Sequence, residues 1–352
     1  MPHVYTERAP LAPSSHRLSL SRIEEAAALI DPVFLDSPAR VSRTLSERFG
    51  CALTLKDETS NPVGCFKGRG AEHFASRLTA SGERPQLVCA SAGNFGLALA
   101  YACAARDLEL TVFVATSASA VKVQGILRHG ARIVAEGRDF DAAKHAARIY
   151  AGEHGLRFVE DGAEPAISEG AALIARELLT QGTYDALLVP LGNGALLAGM
   201  ARWAKAHSGN VKMIGVCSAG APVMYERLTT PHAAPSPDPE RVDTIADGIA
   251  VRVPVPEAIE DLRPLVDEVL RVEDAQLVAA MRLLHEAEHL RCEPSAVAGL
   301  AALAVQPARF AGQRVATVLT GRNLTQEQIA QWFMNEVRSS ACSTMSPSAR
   351  TI

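Results

Sequence analysis

The first residue in this sequence able to do covalent chemistry is a lysine set among turn-forming residues. It lies in Asn61-Pro62-Val63-Gly64-Cys65-Phe66-Lys67-Gly68-Arg69-Gly70-Ala71. Asn61-Pro62 and Gly64 favour turns, and the glycines at 68 and 70 let the backbone approach a neighbour closely. Residues 71–78 read as a helix, which puts Lys67 near a helix start. A charged ammonium gains nothing from that end of the helix dipole, whereas a neutral amine or an imine is tolerated there. A solvated surface lysine has the same local sequence, so this stretch alone does not decide. Two glycine-bearing turns lie further on, Ser91-Ala92-Gly93-Asn94-Phe95-Gly96 and Gly192-Asn193-Gly194-Ala195-Leu196. Each separates a strand-like run from a helix-like one. Amides at such a turn suit an anion, a carboxylate at the first and a phosphate at the second, although ordinary strand–helix connections look alike.

An imine-forming lysine, a carboxylate loop and a phosphate loop are together what a pyridoxal-phosphate site needs. Four motifs come in the order and rough spacing of the serine/threonine dehydratase (ammonia-lyase) family: the segment around Lys67, Ser91 to Asn94, Val189 to Leu196, and Leu319-Thr320-Gly321-Arg322-Asn323. From about residue 20 to about 335 the chain resembles that family, one of the tryptophan-synthase-β-like (fold type II) pyridoxal-phosphate enzymes. The resemblance implies pyridoxal 5'-phosphate as an imine on Lys67, next to Phe66, with Asn94 against the ring's 3′-oxygen. It gives the phosphate to the amides of Gly192, Asn193, Gly194, Ala195 and Leu196. Thr320 falls near the pyridine nitrogen and Gly248 beside the ring. The substrate carboxylate falls to Ser91, Ala92, Gly93, Asn94 and Phe95.

The chemistry follows from these assignments. Once released by the substrate amine, Lys67 can take the α-proton. A threonine hydroxyl cannot keep the ring nitrogen protonated as a carboxylate would. That weakens the electron sink and favours α,β-elimination or β-replacement over transamination. Thr320 also has a plain reading, as a strand-end residue capping the Gly321 turn. The expected reaction is dehydration and deamination of a β-hydroxy amino acid, serine or threonine, to a 2-oxo acid and ammonia. A β-replacement synthase is the alternative, with a racemase or a non-catalytic binding protein behind it.

The chain departs from the family pattern at several points. Phe95 stands where dehydratases often carry histidine. Ala92 stands where racemising members carry serine, which speaks against racemisation. Asn193 and Ala195 interrupt a run of glycines. Cys217 replaces a glutamate that binds a structural cation in several members, so no metal is expected.

The elements that must position these residues read as α/β. Strands and helices alternate from residue 86 onward, which calls for two doubly wound parallel-sheet domains with the cofactor in the cleft between them. Residues 19–80 and 161–338 are expected to form a large cofactor-binding domain, residues 81–160 a small α/β domain, and residues 1–18 and 339–352 flexible tails. Near the start, Ser21 with Glu24 reads as a capping box and residues 37–49 as a helix with Pro38 in its first turn. Residues 229–240 read as a proline-rich loop, and residues 325–337 as a final helix.

The totals fit an ordinary enzyme: 352 residues, 48% apolar, 21% charged and a net charge of −4. No basic field invites nucleic acid or an anionic membrane. No apolar run has the length of a membrane span. Seven scattered cysteines without metal spacing point to a reducing, cytoplasmic setting. A small amino-acid substrate and a homodimer complete the expectation. The chain ends soon after Thr320, which leaves no room for a regulatory domain.

Overall fold

The structure is a computed structural model and describes residues 16–230 and 242–334. Most of the expected arm and of the proline-rich loop, and all of the tail from 339, lie outside these residues. The described chain runs through α1 (Leu20–Leu29), β1 (Ala39–Val41), α2 (Arg43–Phe49), β2 (Ala52–Asp57) and α3 (Lys67–Ala80). An alternating stretch follows: β3 (Leu87–Ala90), α4 (Asn94–Ala104), β4 (Leu110–Val114), α5 (Ala120–Leu127), β5 (Arg132–Ala135), α6 (Phe140–His154) and β6 (Arg157–Phe158). The second half comprises α7 (Pro165–Gln181), β7 (Ala186–Pro190), α8 (Ala195–His207), β8 (Lys212–Ser218), α9 (Val223–Thr229) and α10 (Pro256–Leu262). It closes with β9 (Glu268–Val272), α11 (Asp274–Glu288), α12 (Ala298–Val305) and β10 (Arg314–Leu319).

These strands form a six-stranded sheet of order β1-β2-β10-β7-β8-β9 and a four-stranded sheet of order β5-β4-β3-β6. All pairings are parallel except β1 against β2. Alternate residues of one strand enter different cores. Leu187 and Val189 of β7 join Ala316 and Val318 of β10 in one core with α3, α7 and α8. Ala186, Leu188, Val315 and Leu319 face a second core with α11 and α12. In the smaller sheet, Val88 and Ala90 pack with α6, while Leu87 and Cys89 join α4 on the other side. A period of two that is buried on both faces is the mark of a doubly wound parallel sheet, and the expected α/β class holds.

Three local expectations give way. Ser19, rather than Ser21, caps α1, with its side chain accepting from the Arg22 amide. Residues 39–41 are a strand instead of the first turn of a helix, and α2 starts only after its cap, Ser42. The cause is pairing: the Asp57 amide donates to Pro38 O at 2.8 Å and the Ser42 amide to Leu53 O at 2.9 Å. The gain of a sheet partner outweighs the helix signal of the segment. The final helix is one α-turn over Gln326–Ile329, capped by Thr325, followed by a π-helical turn over Ala330–Met334; the rest of its expected span, 335–337, is outside the described residues.

Helix α3 begins four residues earlier than its sequence suggested, so Lys67 is its first residue. The two glycines behind Lys67 serve helix packing. A Cβ on Gly70 would come within 2.6 Å of Ile167 O on α7, and one on Gly68 within 2.1 Å of the Phe34 ring. The close approach inferred from these glycines is therefore to the protein's own helix and core.

Candidate active site

The C-terminal ends of β3, β7 and β10 open onto one cavity of about 460 Å³, with Ala90, Pro190 and Thr320 in its wall. Parallel sheets place their sites there because the loops after the strands, and the helix N-termini they lead into, converge on that side. Lys67 and Phe66 line the cavity. So do Ser91, Ala92, Gly93, Asn94 and Phe95, the turn Gly192 to Leu196, Gly248 and Thr320. Every residue picked out from sequence is thus brought to one place. Thr320 is tethered beside the lysine, because the Phe66 amide donates to Thr320 O at 3.0 Å and Cys65 bridges to Gly321.

The starts of α3, α4 and α8 open onto this cavity, beside those of α5 and α6. None of the first three has a cap residue whose side chain closes its N-terminus. First-turn amides have no intrahelical partner, so an uncapped start that faces a cavity offers donors and a partial positive charge to an anion. At α8 the cap is Gly194, held at φ +99°, a conformation that disfavours a side chain.

The side chains facing these amides are paired in a definite pattern. The Lys67 ammonium donates to Asp161 Oδ2. Glu293, buried, accepts from Asn94 Nδ2 at 3.0 and 3.1 Å and from the Asn323 amide at 2.9 Å. Asn323 Nδ2 in turn donates to Asn94 Oδ1 at 2.8 Å. Burial, reinforced by the charge of Asp247, pushes the Glu293 carboxyl above its ordinary value despite these donors. At the rim, Arg252 donates to Asp141 at 2.6 Å and to Asp139 at 3.2 Å, and Lys122 pairs with Asp247. These contacts tie α5 and the start of α6 to the 247–252 segment across the cavity. Cys65 is no rival nucleophile, since burial pushes its thiol up to about 12.

Residues 30–321 match the family of pyridoxal-phosphate dependent enzymes. The chain belongs to that family. It is 30% identical over 295 residues to an L-threo-3-hydroxyaspartate ammonia-lyase of Saccharomyces cerevisiae, a match spanning 84% of this chain and 90% of the relative. With an L-threonine ammonia-lyase of Geobacter sulfurreducens it shares 32% over 290 residues, or 82% of this chain and 71% of the other. Among solved structures, a pyridoxal 5'-phosphate-dependent aspartate racemase superposes with a TM-score of 0.83 at 26% identity, covering 90% of this chain and 99% of that one. This chain is a pyridoxal-phosphate-dependent ammonia-lyase of the threonine dehydratase type.

The donor set suits that cofactor. An aldehyde needs an amine, and Lys67 reaches the cavity. A phosphate needs amides, and the uncapped start of α8 supplies them. A ring nitrogen can take a hydroxyl as its partner, and Thr320 brings one to the cavity wall. Reading the sequence did not find Asp161, Glu293, Lys122 or Arg252 as cavity residues. The one local signal was position: Glu160-Asp161-Gly162 stands just past a strand end, and Glu293 between Cys292 and Pro294. Among the described residues no helix is long and apolar enough to cross a membrane.

Proposed function

We propose that this chain catalyses α,β-elimination on a β-hydroxy amino acid, serine or threonine, releasing a 2-oxo acid and ammonia. The observation that carries this reading is the convergence of Lys67 with two uncapped helix starts and a hydroxyl-bearing strand end. Bound pyridoxal phosphate supplies an electron sink for the pair left at Cα when its proton departs. Lys67 holds the cofactor in the resting state and takes the Cα proton once free. The amides of Ser91 to Phe95, at the start of α4, hold the substrate carboxylate. Those of Gly192 to Leu196 would hold the phosphate, Asn94 would serve the ring's 3′-oxygen, and Thr320 would offer the ring nitrogen a neutral hydroxyl. Phe66 and Gly248 flank the ring.

Ala92 stands where racemising members carry serine, so position 92 offers no hydroxyl to return a proton to Cα, which supports elimination over racemisation. Homodimerisation and a cytoplasmic setting belong to the same reading. Support for the setting comes from six free, buried cysteines among the described residues, which suit a reducing compartment. Sedimentation tests the dimer.

The deciding experiment is the visible spectrum of the purified protein before and after serine, threonine and 3-hydroxyaspartate, each with a 2-oxo acid assay. A cofactor band that Lys67→Ala abolishes, together with 2-oxo acid from serine or threonine, establishes the reading; 2-oxo acid from 3-hydroxyaspartate alone keeps the elimination and replaces the substrate. A band that shifts without 2-oxo acid, alongside incorporation of an added thiol or amine, replaces it with β-replacement. Interconversion of L- and D-serine without 2-oxo acid replaces it with racemisation.

A further inference from the structure

One carboxylate in the cavity wall is under-satisfied. Asp161 follows β6 and is 6% exposed. Its Oδ2 is engaged by the Lys67 ammonium, while its Oδ1 is buried and accepts no hydrogen bond. The neighbouring acids are better met: Glu293 has Asn94 and Asn323, Asp141 has Arg252, Asp247 has Lys122, and Glu160, whose Oε1 also accepts no hydrogen bond, has the Lys144 ammonium 3.2 Å away and Arg148 on its other oxygen. A buried carboxylate oxygen without a donor is costly, the more so because the group is charged. Whether Lys67 is joined to the cofactor or freed by the substrate, Oδ1 has no donor, so the site would hold an unmet demand for one next to the reacting lysine.

Asp161, Lys67 and the residues at the start of α4 line one cavity, so the β-substituent of an amino acid held between the last two would come within this neighbourhood. A β-hydroxyl donates a hydrogen bond without bringing charge. 3-Hydroxyaspartate keeps that hydroxyl, but the carboxylate on the same carbon adds a second negative charge beside the first, which raises the cost of both. We propose that Asp161 determines substrate specificity here: it accepts a hydrogen bond from the substrate's β-hydroxyl and excludes a side chain ending in a carboxylate. The chain then takes serine or threonine and rejects 3-hydroxyaspartate, in contrast to the substrate for which its yeast relative is named. This rests on the elimination reading for the identity of the β-substituent, but it is read out separately from turnover.

The test titrates the visible cofactor band of the holoenzyme with L-serine, L-alanine and L-threo-3-hydroxyaspartate and records the concentration that half-shifts it. In the unaltered protein serine should act at least about tenfold below alanine, which lacks the hydroxyl, and below hydroxyaspartate. Asp161→Asn keeps an acceptor and removes the charge. It should lower the hydroxyaspartate midpoint about tenfold while moving serine less than about threefold. Asp161→Ala removes the acceptor as well and should bring serine and alanine together. Borohydride trapping of the cofactor on Lys67, read by mass spectrometry, shows that each variant is loaded.

A hydroxyaspartate midpoint below that of serine in the unaltered protein overturns the proposal, as does one that Asp161→Asn leaves in place. If neither variant loads, the three midpoints of the unaltered protein decide alone. Midpoints that follow the expected order without any 2-oxo acid would sink the elimination reading and leave the role of Asp161 standing. No shift with any of the three amino acids would overturn both.

Discussion

Lys67 and Arg69 sit two residues apart on one helix and belong to opposite kinds of polar cluster. Arg69 is fully buried and saturated: it donates to Glu58 at 2.7 and 2.8 Å and to Glu177 at 2.8 Å. Glu177 also accepts from Lys56, whose ammonium donates to Ser37 O at 2.6 Å. Two cations meet two anions and the group is neutral. Burial pushes the Glu177 carboxyl up, but its bonds and charges from Arg69 and Lys56 outweigh that and hold it below the ordinary value. The cavity cluster is different. Asp161 keeps an orphan oxygen, Glu293 is pushed up rather than down, and three helix starts are left uncapped. A saturated network holds the helix; an unsaturated one waits for ligands. The rotation of α3 assigns each residue to its side.

Breaking either side of this contrast should have different consequences. The largest effect is expected from Lys67→Ala. Turnover should fall by about 10³-fold or more as the amine is lost, and the band should vanish. The urea midpoint of the cofactor-free protein should fall by less than for Arg69→Ala, because Lys67 is partly exposed and has a single carboxylate partner, Asp161. Arg69→Ala should cost about 3–5 kcal/mol of stability by leaving Glu58 and Glu177 buried without their cation. A cost under about 1 kcal/mol, read by urea unfolding, would erase the distinction between the two clusters. Gly70→Ala probes the packing that carries both. Its methyl would meet Ile167 O, and overpacking of this kind costs about 1–3 kcal/mol, measured the same way.

Glu293 sharpens the comparison through pH. Its carboxyl is raised in the fold, so the folded state binds its proton more tightly than the unfolded chain does. That contribution to stability is fully present below the ordinary glutamate value of about 4.3 and is lost as pH climbs through the raised one. Urea midpoints across this window should fall with pH in the parent more steeply than in Glu293→Gln. An identical pH slope in the two proteins would count against a strained carboxylate. The smallest effect should come from Arg252→Gln at the rim. Partly exposed pairs of this kind are worth under about 1 kcal/mol, and the difference from the parent should shrink with added salt.

Much of the fold was legible because its signals are local. A strand entering a glycine turn and leaving as a helix must look alike wherever a βα unit forms, so Ser91 to Phe95 and Gly192 to Leu196 could be assigned to helix starts from sequence alone. The two-sided burial of the strands was likewise written in their unbroken apolar runs. Residues 39–41 look helical because Ser37-Pro38 satisfies helix-start rules. The strand partner that overrules this, β2, lies beyond α2, and no propensity reports it.

What the sequence by itself determined was the class of fold, the lysine and the loops, since each rests on backbone chemistry confined to a few consecutive residues. Only the tertiary structure decided which charges share the cavity. Lys67 and Asp161 are 94 residues apart in the chain, and Asn94 and Glu293 are 199 apart. Such pairs leave no periodic trace. Their energy depends on how buried they are and how many donors reach them, and both are properties of the packed chain.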